Sequence, residues 1–213
     1  MIRYIYEEDL QRFPKLARTM FLDRADQFKT RLGWEVSVDH RGFERDAYDN
    51  ENPLYVIWEN KDGSHGGSMR FLPTIGRTMI NEHFRHLTGG VEIRSPLIWE
   101  CSRFCLSRRA EPGVAAALML AGGELMVEFG IAHFVAVFDA RMERIYKRIG
   151  AAPDVLGSEC QGRARISIGL WEHSLAAQSA VSKCAGITTD MSKRWFELSF
   201  GDLADPISNR TAA

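Results

Sequence analysis

One apolar stretch of the chain, residues 97–106, contains two charged residues in its middle. The apolar residues at 97–99 and 104–106 flank Glu100 and Arg103, a pattern that is typical of a buried strand. Charged groups are rarely buried unless they are paired, hydrogen-bonded or needed for function. Two interpretations are therefore open: a structural ion pair, or a catalytic acid or base in a cleft, where perturbed carboxylates tend to lie.

The patterns along the rest of the chain predict a mixed sheet between layers of helices. A hairpin is followed by strand, helix, strand, helix and strand, which favours an α/β (α+β) fold, a three-layer α-β-α sandwich. A short helical piece is also expected around residues 81–87. The predicted strands are 2–6, 54–58, 66–72, 97–106, 131–138 and 163–171, and the predicted helices are 7–26, 112–129 and 140–149.

The bulk composition is that of an ordinary globular protein. The 213 residues suffice for one packed domain with an appendage, and the net charge of -1 gives no sign of nucleic-acid binding. No apolar run approaches the roughly 20 residues of a membrane span, and the N-terminus lacks the apolar region of a signal peptide. The 4 cysteines form no CxxC pair and no zinc pattern. We expect a cytoplasmic protein that contacts neither nucleic acid nor membrane.

Two segments carry few core residues. Residues 24–52 are polar and highly charged, and a connection of this length is usually functional or mobile. Residues 174–213 are small and polar, with isolated apolar side chains near the end. We expect a domain of residues 1–173 that contains a mobile, substrate-binding segment at 24–52. The extension at 174–213 has no assigned role and is expected to be loosely packed or to cap the domain.

Six short motifs follow one another along the chain. They are RADQFKTRLGWEV (24–36), ERDAYD (44–49), GGSMRFLPT (66–74), EHF (82–84), WECSRF (99–104) and ERIYKRIG (143–150). In this order and spacing the chain resembles the acyl-homoserine-lactone synthases, the autoinducer synthases of bacterial quorum sensing, over about residues 1–172.

The resemblance implies a fold related to the GCN5-type N-acetyltransferases, in agreement with the predicted elements. It also implies a reaction in which a fatty acyl thioester acylates the amine of S-adenosylmethionine. The product then closes to a lactone and releases methylthioadenosine. S-adenosylmethionine would be a substrate, with no cofactor and no metal, and the acyl donor would be acyl-carrier protein or acyl-CoA.

The resemblance also assigns roles to individual residues. Glu100 is the candidate general base. The α-ammonium of the substrate has a pKa near 8, so the difference in pKa that a base must overcome is small, and the proton can pass directly or through water. From spacing alone, the alternatives are an amphipathic helix end for the first motif and a solvated loop for the second. The implied catalytic group is Glu100, Arg103, Asp46, Asp49 and Arg70, with Glu44 beside it, and the implied S-adenosylmethionine site is Arg24, Phe28, Trp34 and Phe84.

Strand geometry places a condition on this assignment. Strict alternation puts Glu100 and Ser102 on one face of the strand and Arg103 on the other. Glu100 and Arg103 can face one cleft only if the strand contains a bulge, and bulges recur beside active sites. Without a bulge, Arg103 belongs to a structural network.

An acyl pocket is expected in the apolar elements, although ordinary core is the alternative for each of its residues. Ala136 aligns with a position where some family members carry a threonine that goes with 3-oxo acyl chains, so we expect an acyl chain without a 3-oxo group. The candidates are Phe104, Met126, Ala136 and Phe138, with Leu118, Met119, Leu125 and Ile145 as further possibilities.

Two rival functions remain. The first is an N-acyltransferase that uses acyl-CoA on another amine, but SRRAEPGVAAALM lacks the glycine-rich pyrophosphate loop of that class. The second is a non-catalytic binding protein, which the intact charged motifs argue against. The basic residues at 141–148 fit either a patch for an acyl-carrier protein or a solvated helix face. His83 and His86 are too few for a metal site.

Overall fold

A computed structural model of the chain describes residues 1–201. Within them a mixed sheet of seven strands has the order β1-β2-β3-β4-β5-β7-β6, flanked by helices, so the predicted fold class is confirmed. The strands are β1 (Ile2–Tyr6), β2 (Leu54–Glu59), β3 (His65–Pro73), β4 (Ile98–Leu106), β5 (His133–Asp139), β6 (Asp154–Glu159) and β7 (Ile166–Glu172). The helices are α1 (Pro14–Ala25), α2 (Met79–His83), α3 (Val114–Phe129), α4 (Ala140–Ile149), α5 (Leu175–Ala185) and α6 (Thr189–Phe200).

Each face of the sheet has its own core. Ile57 of β2 packs in a cluster with Met20 of α1, whereas its neighbour Val56 packs on the other face in a cluster with Leu118 of α3. This alternation follows from the period of two along a strand. Helices α5 and α6 pack on α3, whereas α1 and the polar segment after it lie on the other face of the sheet.

Strands β4 and β5 separate along their length. They pair in parallel only where residues 98–100 face residues 133–135. Beyond that point β4 continues along β3 and β5 continues along β7. A gap therefore opens in the middle of the sheet just after Glu100.

The C-terminal part of the chain contains elements that the sequence analysis did not predict. Strand β6 was missed because most of its residues are exposed and carry little apolar pattern. Helices α5 and α6 begin at N-caps, where the side chains of Ser174 and Thr188 accept backbone N–H groups. Phe196 is buried against Tyr4 and Phe129, so this region packs on the core. Residues 202–213 of the predicted extension lie outside the described residues.

A helix that spans a bilayer must be both long and apolar. Across residues 1–201, none of the helices is both long and apolar enough to span a bilayer.

Candidate active site

The bulge that the site requires is present in β4. Ser68 pairs with Cys105 and Arg70 pairs with Ser102, so Met69 of β3 faces two residues of β4. Arg103 takes up the extra residue with a φ of 53°, in the left-handed region. The bulge brings the side chain of Arg103 to the face on which Glu100 and Ser102 lie. The sequence left open whether the two charged residues share one face, and this single backbone irregularity decides that they do.

Glu100 is fully buried on that face. Its Oε2 accepts the backbone N–H of Ile80, at the start of α2, over 2.7 Å. Its Oε1 is buried with no hydrogen-bond partner in the part of the chain that the structure describes. Burial raises the pKa of Glu100, against the opposing effects of the Ile80 N–H and the charge of Arg70. Such a carboxylate is suited to receive a proton.

Arg24 forms the buried end of a cluster of charged side chains. Its Nε donates to Glu44 over 2.6 Å, and its two terminal nitrogens donate to the two oxygens of Asp49 over 2.9 Å each. All three side chains are buried. The resemblance assigned Arg24 to the substrate site, where it could pair with a substrate carboxylate or with local acids; in the structure it bonds two carboxylates of the protein.

Arg70 continues the cluster toward β4. Its Nη1 donates to Asp46 over 2.5 Å and to Asp49 over 2.9 Å, while its Nε donates to Ser102 over 3.1 Å. The hydroxyl of Tyr55, on β2, donates to Asp49 over 2.6 Å. Asp49 thus accepts from two arginines and a tyrosine, and its charge is fully engaged.

Arg103 forms the open end of the cluster. It bonds Glu44 over 3.0 Å and Asp46 over 2.7 Å, and the structure pairs it with these two carboxylates instead of Glu100. The side chains of Arg103 and Asp46 are 11% and 19% exposed, whereas those of Glu44, Arg24 and Arg70 are almost completely buried. Arg103 and Asp46 are therefore the members of the cluster that a ligand can reach.

A local motif aims the two aspartates. Asp46 caps the short 3-10 turn Ala47–Asn50, where its side chain accepts the N–H groups of Tyr48 and Asp49. Asp49 in turn accepts the N–H of Asp46, so the two residues form a capping box. The sequence DAYD folds in this way because each carboxylate satisfies backbone donors of the turn. The remaining oxygen lone pairs face the arginines.

The two aromatic candidates stack on each other. The rings of Phe28 and Trp34 are 5.2 Å apart and nearly parallel, and Gly33 provides the positive φ of 68° that turns the chain back. The guanidinium of Arg103 lies 5.3 Å from the centre of the Phe28 ring. Phe28 is buried, but Trp34 is 46% exposed, so the outer face of Trp34 is open to a planar ligand.

Phe84, the last aromatic candidate, lies directly after α2. It packs with Ile80, Leu87 and Val135, on the face of the sheet that carries Glu100. The same short segment therefore positions Phe84 and donates the backbone hydrogen bond to Glu100.

Sequence reasoning missed several polar contacts of the site. Ser102 and Tyr55 lie in apolar strands and were taken as strand residues without a role. Tyr48 and Glu82 lie inside two of the six motifs and hydrogen-bond each other over 2.8 Å. The sequence signal for this contact was that Tyr48 and Glu82 are polar residues inside the motifs to which no role had been assigned.

Half of the apolar candidates line a cavity on the face of the sheet opposite to Glu100. The cavity has a volume of about 90 Å³ and lies between the sheet, α3 and α5. Phe104, Met119, Met126 and Ala136 line it. Phe138, Leu118, Leu125 and Ile145 are not among the lining residues of the described chain.

Phe138 packs one layer behind the cavity wall. Its ring centroid lies 5.5 Å from that of Tyr146 and 5.6 Å from that of Trp171, and both of these residues line the cavity. Helix α5 adds Ala177, Gln178 and Val181 to the wall, a contribution that the sequence analysis did not foresee.

The described residues, 1–201, contain no cluster of metal-ligating side chains: no group of three or more His, Cys, Asp or Glu residues there could hold a metal ion. His86 instead lies 3.1 Å from Glu159.

Solved structures share this fold. The CoA-dependent acyl-homoserine lactone synthase BjaI, solved with SAM and isopentyl-CoA, has a TM-score of 0.78 at 24% identity and covers 92% of this chain and 98% of its own. The acyl-homoserine-lactone synthase LasI has a TM-score of 0.73 at 26% identity, with 86% and 95% covered. A putative N-acetyltransferase from Lactobacillus plantarum reaches 0.53 at 16% identity, covering 81% and 99%. The fold is therefore that of the GCN5-like acyltransferases.

Sequence comparison identifies the family within this class. Residues 9–179 match the model of the autoinducer synthases. The acyl-homoserine-lactone synthase of Rhizobium etli is 36% identical over 179 residues, which is 81% of this chain and 84% of that protein. The synthase of Agrobacterium fabrum (strain C58 / ATCC 33970) is 36% identical over 153 residues, 67% and 72% of the two chains. The chain belongs to the autoinducer synthase family and is an acyl-homoserine-lactone synthase, as the six motifs predicted.

Proposed function

We propose that the chain transfers an acyl group from a thioester to the amine of S-adenosylmethionine, with Glu100 as the general base. The observation that carries the proposal is the buried carboxylate of Glu100. One of its oxygens has no partner among residues 1–201, and it lies beside a cluster whose charges balance. The three arginines of that cluster offset its three carboxylates. The ionised form of Glu100 therefore calls for a cationic ligand, and S-adenosylmethionine carries both an ammonium and a sulfonium.

The proposed reaction begins with a proton transfer. The α-ammonium of S-adenosylmethionine gives a proton to Glu100, directly or through water, and the freed amine attacks the thioester carbonyl carbon. The carbonyl lies in the gap between β4 and β5, where backbone N–H groups at the open strand edges stabilise the developing negative charge. The thiol leaves with a proton. A carboxylate oxygen of the acylated substrate then displaces the sulfur from the γ-carbon, which closes the lactone and releases methylthioadenosine.

The remaining residues bind and orient the substrate. Arg103 and Asp46, at the open end of the cluster, meet the carboxylate and ammonium of S-adenosylmethionine. Phe28 and Trp34 take the adenine or the sulfonium by stacking and cation–π attraction, with Phe84 near them. The fully buried members Arg24, Glu44, Arg70 and Asp49 hold Arg103 and Asp46 in place.

The acyl chain passes through the gap in the sheet into the cavity on the other face. Phe104, Met126 and Ala136 would contact the chain, and Phe138 would support the wall from behind. Helix α5 completes this wall, so the role we propose for the first half of the extension at 174–213 is to close the acyl cavity.

The donor is proposed to be a thioester of acyl-carrier protein or CoA. Helix α4 bears basic residues beside the gap, and two of them, Arg141 and Lys147, pair with acids of the chain over 3.2 and 2.9 Å. BjaI is CoA-dependent and was solved with isopentyl-CoA. Arg144 and Arg148 are exposed on the same helix and would attract either donor, because both carry negative charge.

We further propose that S-adenosylmethionine is consumed as a substrate without a cofactor, and that the enzyme works in the cytoplasm. Cys101 and Cys105 support a reducing compartment, since both serve as small apolar residues of β4. Burial raises the pKa of each thiol above its ordinary value.

One incubation tests the proposed function. The purified chain is mixed with S-adenosylmethionine and a panel of acyl-CoA and acyl-carrier-protein donors, and the products are identified by mass spectrometry. We expect an acyl-homoserine lactone and methylthioadenosine in equal amounts. Acylation of other amines without lactone would favour the N-acyltransferase alternative. The absence of any acylated product with every donor would contradict both.

Ala136 predicts the oxidation state of the acyl chain. It lines the cavity and has no donor for a 3-oxo group, and burying such an acceptor unpaired costs about 1–3 kcal/mol. We expect the wild type to prefer an unsubstituted donor over its 3-oxo counterpart of equal length by about five- to 150-fold. Ala136→Thr should reduce the preference for the unsubstituted donor, because threonine supplies a hydroxyl. A wild type that prefers the 3-oxo donor would contradict this prediction.

The segment of residues 24–50, which contains the first two motifs, is expected to gain order with substrate. Its ends are anchored by the buried residues Arg24 and Glu44, but the stretch between Phe28 and Phe43 is mostly exposed. We expect slower amide hydrogen exchange over residues 24–50 when S-adenosylmethionine is added, with α3 as the internal control. Equal exchange of the segment in both states, at a ligand concentration that supports turnover, would rule the idea out.

A further inference from the structure

Two adjacent glycines lie in the middle of α3. Gly122 and Gly123 lie in a helix that otherwise consists largely of good helix formers. Glycine is among the poorest helix formers, because it loses the most backbone freedom on folding. A pair of glycines at the centre of the helix that covers the sheet therefore requires a reason.

Packing within the protein does not supply that reason at Gly122. A Cβ atom built there would lie 3.6 Å from Met69 Cε, 3.6 Å from Phe134 Cε2 and 3.8 Å from Phe71 Cζ. These are ordinary van der Waals distances, so an alanine would fit. At Gly123 the nearest atom to a Cβ would be His173 Cδ2 at 3.8 Å.

Other glycines of the chain show what a packing requirement looks like. A Cβ at Gly157 would lie 1.9 Å from the carbonyl oxygen of Leu87, and one at Gly169 would lie 2.8 Å from Phe138 and from Pro153. Those positions admit no side chain. The two glycines of α3 differ, because the protein leaves room for a methyl group and does not use it.

Both glycines of α3 line the acyl cavity. Gly122 lies over the aromatic pair of Phe71 and Phe134, whose ring centroids are 4.6 Å apart, and Gly123 lies toward His173. We propose that Gly122 and Gly123 determine which acyl chains the enzyme accepts, by leaving room for methylene groups of the chain where alanines would fill it. The inference rests on the proposed function, since it takes the cavity as the acyl site.

If the proposal holds, adding one methyl group to the cavity wall changes which acyl-chain length the enzyme prefers. A hydrophobic pocket that is too small or too large by one methylene discriminates by about 10–200-fold. The cavity has a volume of only about 90 Å³, so a methyl group at Gly122 removes a substantial part of it. The longest chain that the wild type uses well should then be excluded in favour of a shorter one.

The test compares Gly122→Ala, Gly123→Ala and the wild type. Each enzyme receives S-adenosylmethionine and an equimolar mixture of saturated donors of increasing length, and the lactones are quantified by mass spectrometry. For Gly122→Ala we expect the ratio of the longest wild-type product to the product two carbons shorter to fall by about 10-fold or more. We expect its Tm to equal or exceed that of the wild type.

Val127→Ala is the matched control, because Val127 is exposed on the same helix and does not line the cavity. It should raise helix propensity and leave the product ratio unchanged. Two results would overturn the inference: an unchanged product ratio in both glycine variants, or a clear fall in Tm for Gly122→Ala, which would show that packing requires the glycine. A wild type that makes no lactone with any donor would instead overturn the proposed function.

Discussion

Replacing Glu100 with glutamine is expected to lower kcat by about a hundredfold or more while the protein stays folded. Loss of a general base typically costs 10²–10⁴-fold, and glutamine keeps the size and the acceptor of the Ile80 N–H. The measurement is steady-state lactone formation at saturating S-adenosylmethionine, with Tm as the test of folding. Glu124→Gln is the matched control, since Glu124 is also a buried carboxylate but lies on α3, away from the charged cluster.

The pH profile separates a base from a merely structural carboxylate. Burial raises the pKa of Glu100 above the ordinary value, so the catalytically competent, ionised form appears only as the pH rises past that raised pKa. The wild-type rate should therefore climb with pH along a limb that Glu100→Gln lacks. Wild-type turnover in Glu100→Gln, or an unchanged pH limb, would show that another group takes the proton.

Asp49→Asn is expected to destabilise the fold by about 3–5 kcal/mol, the scale of removing one partner from a buried ion pair. Asp49 holds Arg24 and Arg70 together, so the variant leaves two buried guanidinium groups with too little negative charge. The measurement is the free energy of unfolding in denaturant. Asp62→Asn is the control. Asp62 is exposed, so this variant should leave the denaturant concentration at the unfolding midpoint unchanged.

The same carboxylate predicts the acid sensitivity of the protein. Burial alone would raise the pKa of Asp49, but Arg24 and Arg70 outweigh it and hold the pKa well below its usual range. A depressed folded-state pKa contributes stability above the unfolded value of about 3.9, and this stability is lost as the pH falls. The wild type should lose stability below about pH 5, and Asp49→Asn should lose less. Equal acid sensitivity, or an unfolding free energy within about 1 kcal/mol of the wild type, would contradict the assigned role.

Much of the fold followed from local pattern. The apolar runs of β2 and β4, and the glycines after α3 and α4, predicted these elements nearly to the residue because burial and capping act over a few neighbouring positions. Strand β6 and helices α5 and α6 escaped prediction. Their residues are partly exposed, and a few contacts made far along the chain, such as that of Phe196 with Tyr4, carry much of their packing.

The sequence by itself determined the family and its reaction, because both follow from residue types at fixed positions in the six motifs. Only the tertiary structure decided which face Arg103 occupies, since that depends on a bulge set by the register of β4 against β3. It also decided that Arg24 contacts Glu44 and Asp49, and that one oxygen of Glu100 has no partner within the described chain. Such pairings join side chains that lie 20 or more residues apart, and their energies depend on burial, which no local pattern encodes.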